Sequence, residues 1–260
     1  MIDGHVHLEK GPLTKEYCYK LINSAVENGI DELQILDHTH RFKEFDPVYE
    51  KHKQIKVQYD KWLSKDFKDS IYDYIKLIEE MKKEDLPIKV SFGLEVCYQK
   101  QQEALLRDLL SIYKWDFLIG SVHAIYNIAY DSSWSVDELW NKYPTDEIYK
   151  KYYEEVFDLV KSDLFTQLGH PDTIKMFNYY PSYDLTDTYE KLAELLNEHN
   201  MKVENNVGCY YRYHHKDMGL SDELLSIFKK HHCRLITCSD AHYPEHIGTN
   251  IKDVWNKTMY

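Results

Sequence analysis

Six short segments of this chain carry side chains on which chemistry could be built. Asp3-Gly4-His5-Val6-His7 opens the sequence and Ser239-Asp240-Ala241-His242 lies near its other end. Between them stand Asp37-His38, Gly93-Leu94-Glu95, Ser121-Val122-His123 and Gly169-His170. His5/His7 and Asp240/His242 are spaced i, i+2, and in an extended chain residues two apart point to the same face. Each pair can therefore aim two ligands at one point. Imidazoles and carboxylates without thiolates suit borderline divalent ions such as zinc, manganese or iron. A carboxylate can bridge two ions, and Glu95 is the natural candidate. Two ions a few ångströms apart can activate water and hold the attacking and leaving oxygens of a displacement at phosphorus. Taken alone, any one of these residues is unspecific, since a lone histidine is more often a surface or hydrogen-bonded core residue. The recurrence of His, Asp or Glu after successive apolar runs is what makes a candidate site.

Those runs are the elements that must position the ligands. Strand-like segments are read at Ile2–His7, Glu32–Asp37, Lys89–Val96, Phe117–Val122, Leu164–His170, Lys202–Val207 and Arg234–Asp240. Helical periodicity lies between them. Cys18, Leu21, Ile22 and Ala25 recur at i, i+3, i+4, i+7 behind Thr14 as N-cap. Ile71, Tyr74, Ile75 and Ile78 repeat the pattern, as do Tyr149, Tyr152, Tyr153 and Val156. Further helices are read at Asp184–Glu198 and Ser221–His231. Repeated strand-then-helix units imply parallel strands with helices outside. Most candidate ligands then fall at C-terminal strand ends, the face on which parallel barrels carry their active sites. With 260 residues, 43% of them apolar, and no linker, repeat or low-complexity tract, the chain reads as a single domain over 1–260. The polar 41–70 stretch either caps the site or is a solvated excursion.

Composition excludes some classes. A formal net charge of -12 repels phosphate backbones and argues against a nucleic-acid partner. It leaves room for a small phosphorylated substrate held by a local basic pocket and metal ions. No apolar run is long enough for a membrane span, and polar candidate ligands occupy the place of a signal-peptide core. Cys18, Cys97, Cys209, Cys233 and Cys238 are odd in number and lack a C-x-x-C, so they read as reduced thiols in a cytoplasmic protein with no structural zinc site. His52, His199, His231, His232 and His246 sit in polar or helical contexts and receive no functional role. The 23 tyrosines are expected to pack with many hydroxyls toward water.

Phosphate needs cationic donors, and the chain has four arginines: Arg41, Arg107, Arg212 and Arg234. Arg212 lies in Gly208-Cys-Tyr-Tyr-Arg212-Tyr-His214-His215-Lys216, after the sixth strand, and can pair bidentately with phosphate. Arg41, in His40-Arg41-Phe42 after the second strand, is the other candidate. His40 reads as a hydrogen-bonding neighbour or substrate contact.

The ordered set H-x-H, D-H, G-L-E, S-V-H, G-H and S-D-A-H resembles the polymerase and histidinol phosphatase (PHP) superfamily over essentially the whole chain, from Asp3 to about residue 248. That resemblance implies an α/β fold, a distorted TIM-like (β/α)₇ barrel, with a centre of two or three divalent ions (zinc, manganese or iron). Carried over by position, His5, His7, Glu95 and Asp240 would bind one ion, and Glu95, His123 and His170 a second. His38 and His242 would share a third with a residue of the first loop. Many relatives have a histidine where Leu13 stands here, so Glu9 or Glu16 would substitute. Glu9 is favoured because it continues the His5, His7 alternation.

The resemblance further implies a metal-dependent phosphomonoesterase. Chains of this length resemble histidinol-phosphate phosphatases, which release L-histidinol and phosphate in histidine biosynthesis. A metal-bridging hydroxide would attack phosphorus, Arg212 with Arg41 would orient the phosphate, and Asp240 or His242 would protonate the leaving alkoxide. The alternatives keep the site but change the substrate (a phosphotyrosine protein or another small phosphoester), or read the domain as a non-catalytic metal-binding scaffold. An amidohydrolase is disfavoured because no metal-bridging lysine follows an internal strand.

Overall fold

A computed structural model describes residues 1–259. Seven parallel strands run in sequence order around one sheet: β1 (Ile2–His7), β2 (Glu32–Leu36), β3 (Lys89–Cys97), β4 (Phe117–Ser121), β5 (Gln167–Leu168), β6 (Lys202–Asn206) and β7 (Arg234–Cys238). The helices joining them are α1 (Lys15–Glu27), α2 (Ile71–Met81), α3 (Glu103–Leu110), α4 (Thr145–Lys161), α5 (Thr186–Glu198) and α6 (Asp222–Lys230), with α7 (Ile251–Met259) closing the chain. This is the distorted (β/α)₇ barrel that the spacing and the resemblance implied.

The barrel is nearly closed. Strands β1 and β7 share one parallel bridge, Val6 to Ala241, with His7 N donating to the Ala241 carbonyl at 2.8 Å. Buried Asp3 fastens the seam, accepting from the Ser239 amide (2.8 Å), the Ser239 hydroxyl (2.6 Å) and the Gly248 amide (3.1 Å). The first and last ligand-bearing segments, more than two hundred residues apart in sequence, are thereby neighbours. Strand β3 shifts partners along its length. Lys89–Phe92 pair with β2, Gly93–Cys97 pair with β4, and a bridge joins His38 to Glu95.

Helix patterns map onto burial as read. Thr14 caps α1 by accepting from Tyr17 N at 3.3 Å, and Cys18, Leu21, Ile22 and Ala25 are fully buried. In α2, Leu77 joins Ile71, Tyr74 and Ile78 in the core while Ile75 is only half-buried. The fifth strand is the main difference. Only Gln167–Leu168 form its ladder, and just past them the backbone at His170 turns to φ 22° and leaves the extended region. Gly169 permits the approach that precedes this turn. A Cβ there would lie 2.1 Å from Ser121 Oγ.

The 41–70 stretch is a packed cap rather than a solvated excursion. It folds into short 3₁₀ and α segments that bury Phe42, Phe45, Val48, Tyr49 and Leu63. Buried Gln58 ties it to the hairpin after β4, donating to the Asn127 carbonyl (2.9 Å) and accepting from Ala129 N (2.7 Å). The tyrosines divide: Tyr59, Tyr72, Tyr126, Tyr143, Tyr180, Tyr213 and Tyr243 are exposed as expected of many, while Tyr49, Tyr74, Tyr130, Tyr149 and Tyr152 are among the largest fully buried side chains. All five cysteines are free thiols. No helix among the described residues is long and apolar enough to cross a membrane.

Candidate metal centre

Strand ends deliver the candidate ligands to one point, and Glu95 is its hub. Its Oε2 lies 3.1 Å from His5 Nε2, 3.4 Å from His7 Nε2 and 3.1 Å from His38 Nδ1. Its Oε1 lies 3.1 Å from His123 Nε2 and 2.9 Å from His170 Nε2. Each oxygen thus faces a different set of imidazoles. Asp240 Oδ1 closes the first set, 3.2 Å from His7 Nε2 and 3.8 Å from His5 Nε2. A third group stands outside these. Glu9 Oε2 is 3.8 Å from His38 Nε2, and Glu9 Oε1 is 3.7 Å from His242 Nε2.

Three sets therefore present ligand atoms within 4.8 Å of one another: His5–His7–Asp240, Glu95–His123–His170 and His7–Glu9–His38–His242. Glu16, the other acid considered for the third set, lines a separate surface groove between α1 and α2.

The donor chemistry fits divalent cations. His5 Nε2 and His7 Nε2 approach to 3.0 Å. His5 Nδ1 is turned toward Glu204 at 2.8 Å, which leaves its Nε2 lone pair facing the cluster. Lone pairs and carboxylate oxygens that converge this closely repel unless a cation or protons lie between them. Burial, then the neighbouring His242 and His38, hold His7 well below the ordinary histidine range. Burial does the same to His38. Neutral imidazole is the form that ligates metal. His5 runs the other way: burial opposes its charge, but Glu204, Glu95 and Asp240 together raise it. Glu95 is held well below the carboxylate range because His38, His5 and His123 outweigh its burial.

Backbone strain marks the same place. Asp240 sits at φ 56° and His170 at φ 22°, conformations costing roughly 1–2 kcal/mol for residues with a side chain. Gly208 leaves room beside them, since a Cβ there would lie 2.8 Å from Asp240 Oδ2.

Arg212 reaches the centre from the short helix Gly208–Tyr213. Its guanidinium donates to Asp240 Oδ2 at 2.7 Å and lies 2.8 Å from His242 Nδ1. That contact changes the role of Asp240. Burial would raise its carboxyl, but Arg212, His5 and His7 hold it well below the carboxylate range. Asp240 is thus fixed as an anion and is a poor proton donor; His242 Nδ1 faces the Arg212 guanidinium, a pure donor, so any transferable proton lies at its Nε2, and burial holds the ring below the ordinary histidine range.

Arg41 is a further correction. It donates to Asp37 Oδ2 (2.6 Å), Asp69 Oδ2 (2.6 Å) and the Gly11 carbonyl (3.0 Å). Buried Asp37 takes that guanidinium inward, so Arg41 braces the loops around His38 instead of presenting a free fork to phosphate. His40 stacks on His38 at 4.6 Å between ring centroids and lies 3.4 Å from Asp66, at the wall of the cavity. Burial pushes its imidazole down to about 4. His52 is a buried core residue packed against Gln58, and His199 and His231 pair with surface acids.

Several participants escaped the sequence reading. Glu204 is fully buried and accepts from His5 Nδ1 (2.8 Å), Gln167 Nε2 (2.8 Å), His170 N (3.1 Å) and Asn206 Nδ2 (2.9 Å). It orients one imidazole and the backbone of another, as carboxylates behind metal-bound histidines do. Its signal was present: an acid inside the strand-like run Lys202–Val207 has to face either the barrel interior or a helix. Trp62, Asp66, Asp131, Ser132 and Tyr213 join Glu9, Lys10, His38, His40 and His123 around a cavity of about 420 Å³. No sequence pattern marked them, because they come from three separate excursions.

The PHP domain family signature matches residues 3–208, most of the chain. The chain belongs to the PHP domain family. It is 29% identical over 112 residues to a Deinococcus radiodurans protein named "Probable histidinol-phosphatase", a match spanning 43% of each chain. It is 23% identical over 244 residues to a Schizosaccharomyces pombe protein of the same name, covering 88% of this chain and 76% of that one. Among solved structures it resembles the histidinol phosphate phosphatase HisK of Lactococcus lactis, complexed with zinc, L-histidinol and phosphate. The TM-score is 0.71 at 18% identity, over 99% of this chain and 92% of that one. HisK of Listeria monocytogenes gives 0.69 at 17% identity, over 97% and 99%. At these identities the structures establish a shared fold.

Proposed function

We propose that this protein is a metal-dependent phosphomonoesterase acting on L-histidinol phosphate, with 1–260 working as one catalytic domain. The observation that carries the reading is the division of Glu95, whose two oxygens face two different imidazole sets. The naming of its relatives supports the substrate.

In this reading His5, His7, Glu95 and Asp240 would hold one divalent ion, and Glu95, His123 and His170 a second. Glu9, His38 and His242, beside His7, would hold a third. Zinc, manganese and iron all suit the donors. When bound, such ions acidify water and neutralise phosphoryl oxygens. The chain's own residues do the remainder. Glu204 locks His5 in the tautomer that leaves Nε2 free. Arg212 stands at the rim, where its planar fork can take a phosphoryl oxygen while Asp240 keeps it oriented. We assign the leaving alkoxide's proton to His242 Nε2 when the third ion is not bound, since its Nδ1 faces the Arg212 guanidinium. The cap formed by the 41–70 stretch walls one side of the cavity and limits access to small esters.

The test is phosphate release from L-histidinol phosphate by protein loaded with zinc or manganese, and by the same protein after chelation. Turnover that disappears with the metal and returns on reloading is expected. A metal-loaded protein inactive on this ester but active on a phosphotyrosyl peptide would overturn the substrate. No activity on any phosphomonoester would overturn the reaction class.

A further inference from the structure

The cavity beside the metal centre has an uneven lining. Its one lysine, Lys10, is paired to Glu9 at 2.5 Å, and its His40 lies beside Asp66. Against these stand two more carboxylates, Asp66 and Asp131. Asp66 lies 3.4 Å from His40 Nδ1. Asp131 differs. Among the described residues no side chain or backbone donor from elsewhere in the chain hydrogen-bonds or ion-pairs with its carboxylate, and the residue is half-buried. Its position follows from the fold. The hairpin Ala124–Ile125/Ile128–Ala129 folds back after His123, and Tyr130 N bonds the His123 carbonyl at 3.1 Å. The next residue is therefore returned to the mouth of the His123–His170 set. Yet Asp131 is absent from all three groups of converging ligand atoms, so the geometry does not make it a ligand.

A carboxylate left unpaired at the wall of a recess is free to meet a cation that enters it. The phosphoryl group, with its negative charge, belongs at the centre beside Arg212. The alcohol half of the ester then occupies the cavity walled by Asp131, Asp66, Trp62 and Tyr213. Aromatic faces and carboxylates together suit a cation. We propose that Asp131 is a specificity-determining residue that pairs with a positive charge on the alcohol half of the substrate, so that the site selects cationic phosphomonoesters over neutral ones. This rests on the phosphomonoesterase reading above.

The experiment compares metal-loaded wild type with Asp131→Asn, using Asp131→Ser as a second variant should the first not fold. Two esters are used, L-histidinol phosphate and phenyl phosphate, and L-histidinol binding is followed by calorimetry. The ratio of kcat/KM for the cationic ester over the neutral one is expected to fall about 10- to 100-fold, chiefly through KM. L-Histidinol binding should weaken by a similar factor, and wild-type binding should weaken with added salt. Equal losses on both esters would make Asp131 part of the centre itself and overturn the proposal, as would an unchanged ratio. Wild type that hydrolyses phenyl phosphate but not the cationic ester would overturn it while leaving a phosphomonoesterase. Should wild type hydrolyse neither ester, the phosphatase reading falls and calorimetry decides the subsite. Weaker L-histidinol binding in the variant would then support it, and equal or absent binding would overturn it.

Discussion

The inner and outer halves of the ligand cluster are built differently. His5, His7 and Glu95 lie on barrel strands and are almost completely buried, and Glu204 backs the inner set from behind. Glu9, His38 and His242 lie just past strand ends, with side chains 13–16% exposed, and Glu9 is shared with the flexible head of Lys10. Only His5, His7 and Glu95 are strand-borne, since His123, His170 and Asp240 also lie just past strand ends; the strand-borne ligands, backed by Glu204, hold an ion at fixed geometry, whereas the more exposed outer ligands adjust. The inner sites should therefore be tight, and the outer site weak and exchangeable.

Substitutions break or sharpen this contrast. The largest effect belongs to Glu95→Gln, which removes the acid common to both inner sets. Activity should fall by at least about a thousandfold, with loss of metal, as read by turnover and elemental analysis. Glu204→Ala comes next. Metal affinity at the inner sites should drop about 10- to 100-fold while the Arg212–Asp240 side is unaffected, as read by competition with a chelator. Arg41→Met strips the partner from buried Asp37 and should cost about 3 kcal/mol in a denaturant titration of the metal-free protein. It would also loosen the loop holding His38. Glu9→Gln should have the smallest effect, shedding one ion per chain with a drop in turnover of about tenfold or less. Inner ions lost as readily as outer ones in the Glu9 variant would end the distinction between the two halves.

Much of this was legible because barrels impose simple rules on sequence. An apolar run ending in His, Asp or Glu declares both a strand and the rim toward which it points, so β1–β4 and their ligands could be placed within a residue or so. Glu9 was found by continuing the alternation of His5 and His7. The misses share a cause. Arg41 looks like a phosphate ligand until Asp37 and Asp69 are seen to claim it, and that contact depends on how two loops fold over each other. Asp131 reaches the site because a two-residue hairpin reverses the chain, and Trp62 and Asp66 because an irregular cap is tied through Gln58 to that hairpin. Neither has a period to read. The fifth strand stops short of His170, where the backbone turns because that residue belongs to the site more than to the sheet.

The central claim is that Glu95 joins two metal sites at the barrel rim. Anomalous diffraction from crystals grown with zinc tests it most directly. The account predicts at least two strong peaks on either side of the Glu95 carboxylate, one among His5, His7 and Asp240 and the other beside His123 and His170. Zinc bound elsewhere, with the Glu95 carboxylate touching none of it, would contradict the account.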